Sequence, residues 1–459
     1  MADKFDAIII GAGQAGPSLA GRLTSAGMSV ALIERKLLGG TCVNTGCTPT
    51  KTLIASAKAA HEARRAGEYG VKIQGAVSVD MREVRARKDA VVAKSRTGLT
   101  GWLQGMAGCT IVQGHARFAG TDGVRVGDRL LQSGRIFINV GARPRIPKMP
   151  GLDAVPYLTS SSILELEQVP AHLIVVGGSY IGLEFAQMYR RFGSQVTVLE
   201  MAPRLVPKED GDVSDAIRTI LESEGIALRT DAECIRFHRH GQEIVAEARC
   251  TVGAPEIAGS HVLLAVGRSP NTDDLSPEAA GIAMDEHGYI IVDDELRTSV
   301  PGIWALGDCN GKGGFTHTAY NDFEIVADNL LNGGVRRVSD RIACYALFID
   351  PPLGRAGMTE AQARAAGRKI RVGTRPMTRV SRAVEKGETQ GFMKVIVDGA
   401  SGTILGASIL GVGGDEAIHA VLDVMSAKAP YTTLQRTMHI HPTVSELIPT
   451  VLGELAPLP

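Results

Sequence analysis

The sequence predicts an α/β protein built around two dinucleotide-binding βαβ units, and three observations carry that prediction. A series of strand, glycine turn, helix, strand and acid occurs twice, with the same internal spacing. The 54 glycines outnumber the 21 prolines, which suits tight turns and close backbone approaches. At 459 residues the chain exceeds one ordinary core, so two to four domains are expected.

In the first copy, residues 5–10 read as a short apolar strand, followed by Gly11, Gly13 and Gly16. Leu19 and Leu23 mark one face of the helix, and residues 29–33 form a second strand ending in Glu34. The series returns as His172–Val176, then Gly177, Ser179 and Gly182, a helix carrying Ile181, Phe185 and Phe192, and Gln195–Leu199 ending in Glu200. From first glycine to acid the separation is 23 both times (34 minus 11, and 200 minus 177). The first glycine permits the turn, the second lets the backbone approach a pyrophosphate, and the third lets helix pack on strand. The helix N-terminus offers N–H groups to phosphate, and the acid accepts from a ribose. Ser179 stands where the second glycine is usual and adds one small side chain there. Glu200 opposes a 2′-phosphate and favours NADH over NADPH, with Arg204 near enough in sequence to soften that preference.

Composition excludes several classes of function. Hydrophobic residues at 44% and charged residues at 21% are ordinary for a soluble globular chain, and 4% aromatics argue against a base-stacking or carbohydrate platform. Lys+Arg and Asp+Glu balance at 49 each, which leaves no electrostatic footprint for nucleic acid or an anionic membrane. No apolar run approaches the roughly 20 residues that span a bilayer. The N-terminus enters a strand at once, which argues against a secretory signal, and the odd count of seven cysteines points to a reducing compartment. A cytoplasmic location is expected.

Between the first unit and the next helix lies Gly-Gly-Thr-Cys-Val-Asn-Thr-Gly-Cys-Thr-Pro-Thr-Lys, residues 39–51. Cys42 and Cys47, five apart, do not make a zinc signature, and no metal site is expected. In a regular helix they would stand roughly 7.5 Å apart along the axis, so a bond between them needs a distorted first turn. Gly46 and Pro49 permit such a distortion. A disulfide in these surroundings is expected to be reducible and functional.

Residues 39–51 closely resemble the active-site motif of the class I pyridine nucleotide-disulfide oxidoreductases, the family of glutathione reductase, dihydrolipoamide dehydrogenase and mercuric reductase. The resemblance covers essentially the whole chain. It implies two Rossmann-like domains, binding FAD and NAD(P), plus a C-terminal α+β dimerisation domain. The expected boundaries are 1–146 and 272–338 for the FAD domain, 147–271 for the NAD(P) domain, opened by the Pro/Gly-rich linker 142–151, and 339–459 for the interface domain. By the same resemblance Cys47 is the flavin-side thiol and Cys42 the interchange thiol. Lys51 and Glu184 pair beside the flavin, and Tyr180 covers it until nicotinamide enters. Ala116, following His115, falls in the segment holding the FAD adenine. Asp308 binds the ribityl chain, and Thr316 touches the flavin pyrimidine. Thr41 and Gly141 are further cofactor positions, while Gly267 and Arg268 lie where the chain returns to the FAD domain. His441, before Pro442, matches the family's base and Glu446 its orienting acid. That histidine acts across a dimer, so a homodimer is implied.

Substrate choice rests on finer likenesses. Residues 39–51 and 351–360 are most similar to mercuric reductase-like proteins and to the flavoprotein of bacterial reactive-chlorine resistance. Two mercuric reductase hallmarks are missing: a C-terminal vicinal cysteine pair and an N-terminal metal-binding domain. Mercuric reductases also carry tyrosine where this chain has His441. The expected substrate is a small oxidised molecule: an oxidised thiol, a reactive oxidant or a metal ion. Dihydrolipoamide dehydrogenase and a slow redox-sensing flavoprotein are the alternatives. His317, Cys309, Cys109, Cys234, Cys250 and Cys344 read as structural, and the basic run 82–94 reads as a solvated helix face.

Overall fold

The computed structural model describes residues 2–249 and 255–457, so Cys250 lies outside the described residues. Five parallel strands form the first sheet, in the order Ile303–Ala305, Ile136–Ile138, Ala7–Ile10, Val30–Glu34 and Cys109–Gln113. Helix α1 (Ala15–Ser25) follows the first glycine turn. Phe5 N–H donates to the Gln132 carbonyl, while the Asp6 and Ala7 N–H groups share the Ser29 carbonyl, so regular pairing in the first strand starts at Ala7. A short helix, α2 (Gly40–Asn44), and a longer one, α3 (Cys47–Arg65), replace the expected single one over the redox segment. A long helix, α4 (Met81–Gln104), completes the packing here.

Linker strand Ala142–Pro144 pairs antiparallel with Arg268–Pro270, so the outgoing and returning chains support each other. Between them a second parallel sheet takes the order Leu158–Thr159, His261–Leu264, His172–Val176, Gln195–Leu199, Ala227–Arg229. Its helices are α5 (Tyr180–Phe192) and α6 (Gly211–Ser223). Strands Glu233–His240, Glu243–Arg249 and Glu256–Gly259 add an antiparallel layer. Helix α7 (Thr316–Asn332) packs back on α1.

The C-terminal region is a six-stranded antiparallel sheet ordered Cys344–Leu347, Leu353–Gly357, Ile404–Leu410, Phe392–Asp398, Ile370–Pro376, Ala456–Pro457. With its flanking helices it gives the α+β part of the fold. Its apolar residues do not form a wholly separate core: Leu347, Ile349, Leu353 and Leu410 share one buried cluster with Leu53 of α3 and Leu183 of α5. Burying such clusters is the main force holding the three parts in register.

The basic run of α4 is only partly solvated, which corrects the sequence reading. Lys88 is 2% exposed, and its ammonium donates to the Leu164 carbonyl and pairs with Glu165 and Asp89.

Candidate active site

Both glycine turns are built alike. Gly11 and Gly177 sit at φ 107° and 112°, and a Cβ on either would come within 2.2 and 2.5 Å of a neighbouring carbonyl oxygen. The third glycines are as constrained: a Cβ on Gly16 would stand 2.2 Å from the Gly11 oxygen, and one on Gly182 1.9 Å from that of Gly177. Ser179 is tolerated because its backbone is extended, at φ −110° and ψ −171°. Gly13, its counterpart, meets no Cβ neighbour closer than 3.4 Å.

The two acids repeat the symmetry. Glu34 accepts from the N–H of Ala12 at 2.9 Å and of Lys36 at 2.8 Å. Glu200 accepts from Gly178 at 2.6 Å and Ala202 at 2.7 Å. Each carboxylate therefore props its own glycine loop, and its remaining lone pairs are left for a ribose. Neither α1 nor α5 has a side-chain N-cap or an acid in its first turn, so their leading N–H groups stay available to a phosphate. The residues present fit two dinucleotides.

The redox pair spans a helix break. Thr45 and Gly46 interrupt the chain between α2 and α3, with Gly46 at φ −130° and ψ −115°. The distortion expected inside one helix is thus a junction between two, placing Cys42 and Cys47 within hydrogen-bond reach as free thiols. A Cβ on Gly46 would stand 2.9 Å from the Thr41 oxygen, so the junction excludes larger residues. Thr41 is otherwise exposed.

Cys47 Sγ lies 3.3 Å from the Thr316 hydroxyl at the start of α7. Hydrogen bonding from Cys42 holds the Cys47 pKa down to about 6, helped by Thr316 and the Lys51 charge and opposed by burial. Cys42 moves the other way: its bond to Cys47 and its burial push its thiol well above the ordinary range. At neutral pH the dithiol form therefore carries one thiolate, on Cys47, and one thiol, on Cys42.

One helical turn past Cys47, Lys51 Nζ pairs with Glu184 Oε2 at 2.7 Å. The other Glu184 oxygen accepts from the Phe348 N–H at 3.0 Å, and Lys51 lies 4.5 Å above the Phe348 ring. Phe348 opens the stretch that reads in the sequence as the first strand of the C-terminal region; it lies instead just after the strand Cys344–Leu347, and no motif marked its place beside the ion pair. Tyr180 opens α5 and packs edge-on against Tyr345, with centroids 5.2 Å apart.

Asp308 faces Arg268, Oδ2 to Nε 3.3 Å, beside a cleft of about 510 Å³ also lined by Ala142, Lys208 and Lys312. Burial raises the Asp308 pKa, and Arg268 opposes that rise. Gly141 and Gly267 flank the crossing strands at φ 65° and 108°, positions that favour glycine. Ala116 is buried at the start of a strand, and His115 Nε2 lies 2.8 Å from the Asp274 carbonyl.

Sequence reasoning missed two props. Asn139 ends the strand Ile136–Ile138 and donates to the Gly11 oxygen at 3.2 Å. Buried Asp322 accepts from the Gly307 N–H at 2.8 Å and from Asn310 at 3.0 Å, fixing the loop that bears Asp308. A polar residue closing an apolar strand was the available signal for Asn139; Asp322 had none.

His441 Nδ1 meets Glu446 Oε2 at 2.9 Å, and the His441 side chain is 73% exposed. Among the described residues neither bonds to the cysteines of its own chain. His317 stacks on Phe315 at 5.4 Å and meets the Cys344 carbonyl at 2.7 Å, while Cys309 is buried. No helix among the described residues is long and apolar enough to cross a membrane.

Two dinucleotide-binding units around a dithiol of split acidity define a flavin- and nicotinamide-dependent disulfide reductase. The pyridine nucleotide-disulphide oxidoreductase model matches residues 5–322 and that family's dimerisation domain residues 344–452, and the chain belongs to this family. It is 39% identical over 452 residues to the probable pyridine nucleotide-disulfide oxidoreductase RclA of Escherichia coli (strain K12), across 97% of this chain and 98% of that one. A mercuric reductase of Streptomyces lividans is 34% identical over 449 residues, across 97% and 94%. Among solved structures, the Cu(II) complex of the HOCl-induced flavoprotein disulfide reductase RclA from Escherichia coli matches with a TM-score of 0.89 at 38% identity, across 98% of this chain and 99% of that one. The protein is accordingly an FAD-dependent oxidoreductase using a pyridine nucleotide.

Proposed function

We propose that the enzyme, working as a homodimer, spends NADH to keep Cys42 and Cys47 reduced and uses that dithiol against a small oxidant. The observation that carries this reading is the split acidity of the pair, with Cys47 held down to about 6 and Cys42 pushed up. FAD, when bound, relays two electrons from nicotinamide to the disulfide. Gly11, Gly13, Gly16, Glu34, Thr41, Ala116, Gly141, Asp308 and Thr316 would hold it. Gly177, Ser179, Gly182, Glu200, Gly267 and Arg268 would hold the nicotinamide cofactor, with Tyr180 at its reactive end. These assignments go with a flavin domain of 1–146 and 272–338, a nicotinamide domain of 147–271 and an interface domain of 339–459.

The chain's own groups then divide the work. Cys47 keeps its negative charge beside the Lys51–Glu184 pair. Cys42 keeps its proton and needs a base before it can attack. His441 of the second subunit, oriented by Glu446 through Nδ1, leaves Nε2 to take that proton and return it to the leaving group. Retaining this pair favours substrates whose reduction consumes protons, namely disulfides or oxidised sulfur and halogen species. The likeness to an HOCl-induced reductase seen with Cu(II) supports a reactive oxidant or a metal ion as substrate over lipoamide.

Steady-state NADH oxidation by the holoenzyme tests this, with hypothiocyanite, Cu(II), Hg(II), glutathione disulfide and lipoamide compared. Faster turnover with hypothiocyanite or Cu(II) than with lipoamide is expected. Lipoamide in first place would make the enzyme a dihydrolipoamide dehydrogenase, and negligible turnover with all five would make it a sensor.

A further inference from the structure

Next to Tyr180 lies a cluster that the electron path described above does not use. The loop after Glu200 folds over the second glycine turn, with Val206 N–H donating to the Gly178 carbonyl at 2.9 Å and Leu205 packing where a Cβ on Gly178 would fall. That loop ends at Glu209, whose Oε1 accepts the hydrogen bond of the Tyr345 hydroxyl. Tyr345 lies on the first strand of the C-terminal sheet, stacked on Phe315 at 5.6 Å and set edge-on to Tyr180 at 5.2 Å. Arg355, 1% exposed, stands behind them on the next strand and bonds to Ser408 through Nη1.

Buried polar atoms are nearly always paired, so exceptions are informative. Two buried atoms here lack a protein partner, Glu209 Oε2 and Arg355 Nη2, while the Tyr180 hydroxyl faces that of Tyr345. Arg355 attracts both Glu209 and Tyr180 electrostatically, so the three belong to one neighbourhood. One donor and one acceptor left over in this way suit a bridging water.

We infer that Glu209 and Tyr345, backed by Arg355, are positioning residues that latch the Tyr180 ring in its resting place and so set the cost of nicotinamide entry. The inference rests on Tyr180 covering the nicotinamide position. The latch joins three elements: the loop of the nicotinamide unit, the head of α5 and the C-terminal sheet. A ring that must move aside taxes ligand binding by the free energy of moving it. The hydrogen bond from Tyr345 is strongest when Glu209 is ionised. Glu209 faces Arg355, Tyr345, Asp210 and Lys394; burial raises its pKa, while Arg355, the Tyr345 bond and Lys394 oppose the rise. The latch therefore loosens as pH falls through a midpoint above the usual carboxylate range.

The test is rapid-mixing reduction of the FAD-loaded enzyme by NADH, giving an apparent Kd and a limiting rate at each pH. Tyr345→Phe keeps the ring and removes the bond, while Glu209→Gln keeps the shape and removes the charge. Each should lower the apparent Kd by about fivefold near neutral pH. The wild type should approach the variants as pH falls, and the variants should lose that pH dependence. In a Tyr180→Ala background, which should itself lower the Kd, neither change should add anything. If Tyr180→Ala shifts the Kd while Tyr345→Phe and Glu209→Gln do not, the latch is refuted and Tyr180 keeps its role. If Tyr180→Ala leaves NADH binding unchanged, the placement of Tyr180 itself is wrong and the latch falls with it.

Discussion

Replacing Thr316 by valine removes one contact to Cys47 and leaves side-chain volume nearly unchanged. In the native enzyme Cys47 is drawn from 9.0 to about 6, first by Cys42, then by Thr316 and Lys51, against burial. A hydrogen bond to a charged acceptor contributes about 1.5–3 kcal/mol, and Cys47 is partly open to solvent, so the low end applies. At 1.36 kcal/mol per pK unit this is about one unit, which would move Cys47 to about 7. At pH ~6.5 the thiolate fraction would then fall from about three quarters to about one quarter. The assay is a pH titration of the long-wavelength thiolate–flavin absorbance in two-electron-reduced enzyme, with iodoacetamide labelling as a second readout. Thr316→Ser should restore the native midpoint. A valine variant titrating within about 0.3 units of wild type would show that the Thr316 hydroxyl does not hold the thiolate.

Three further perturbations test other parts of the site. His441→Gln should slow turnover of disulfide substrates by about 10²–10⁴-fold while leaving flavin reduction by NADH untouched, and unchanged turnover would remove the base from the scheme. Glu200→Gln should raise the ratio of NADPH to NADH efficiency by about tenfold, equivalent to roughly 1.4 kcal/mol, and a fixed ratio would mean that Glu200 only props its loop. Arg191, with a side chain 5% exposed, bridges Glu224 and Asp350 at 2.7 Å each. Arg191→Ala leaves both carboxylates buried without that partner and should cost about 3–5 kcal/mol, read as a lower unfolding midpoint that lysine restores only in part. An unchanged midpoint would exclude this triad as a support of the fold.

Local rules recovered what local rules govern. His172–Val176 and Gln195–Leu199 match their observed strands to the residue, because an apolar run bounded by a turn is a complete signal for a buried parallel strand. The redox segment was legible as a distorted region, yet its form was not: five residues cannot reveal whether a glycine bends a helix or divides it. Lys88 was misread because a lysine on a basic face looks solvated until Leu164 and Glu165, over seventy residues away, close on it. Glu209 and Tyr345 left no trace in any motif, and Arg355 stood in the stretch 351–360 with nothing to mark its place beside Glu209. Each is an ordinary residue whose neighbours come from another part of the chain.

The polar residues of α5 show how such distant contacts are nevertheless organised. Tyr180, Glu184, Gln187 and Arg191 fall at helical spacings of four, three and four, so they line one face. That face is read in order by residues 345–350: Tyr180 against the Tyr345 ring, Glu184 on the Phe348 N–H, and Gln187 and Arg191 on Asp350. Eleven residues of helix rise about 16.5 Å, and five residues of extended chain span about the same. The two repeats therefore stay in step along the contact. The C-terminal segment fixes Glu184, which holds Lys51, and Lys51 helps hold the Cys47 thiolate. A region whose family role is dimerisation thus also supports the charges around the redox pair, and displacing it along α5 would detach Tyr180 from Tyr345, Glu184 from Phe348 and Arg191 from Asp350 together.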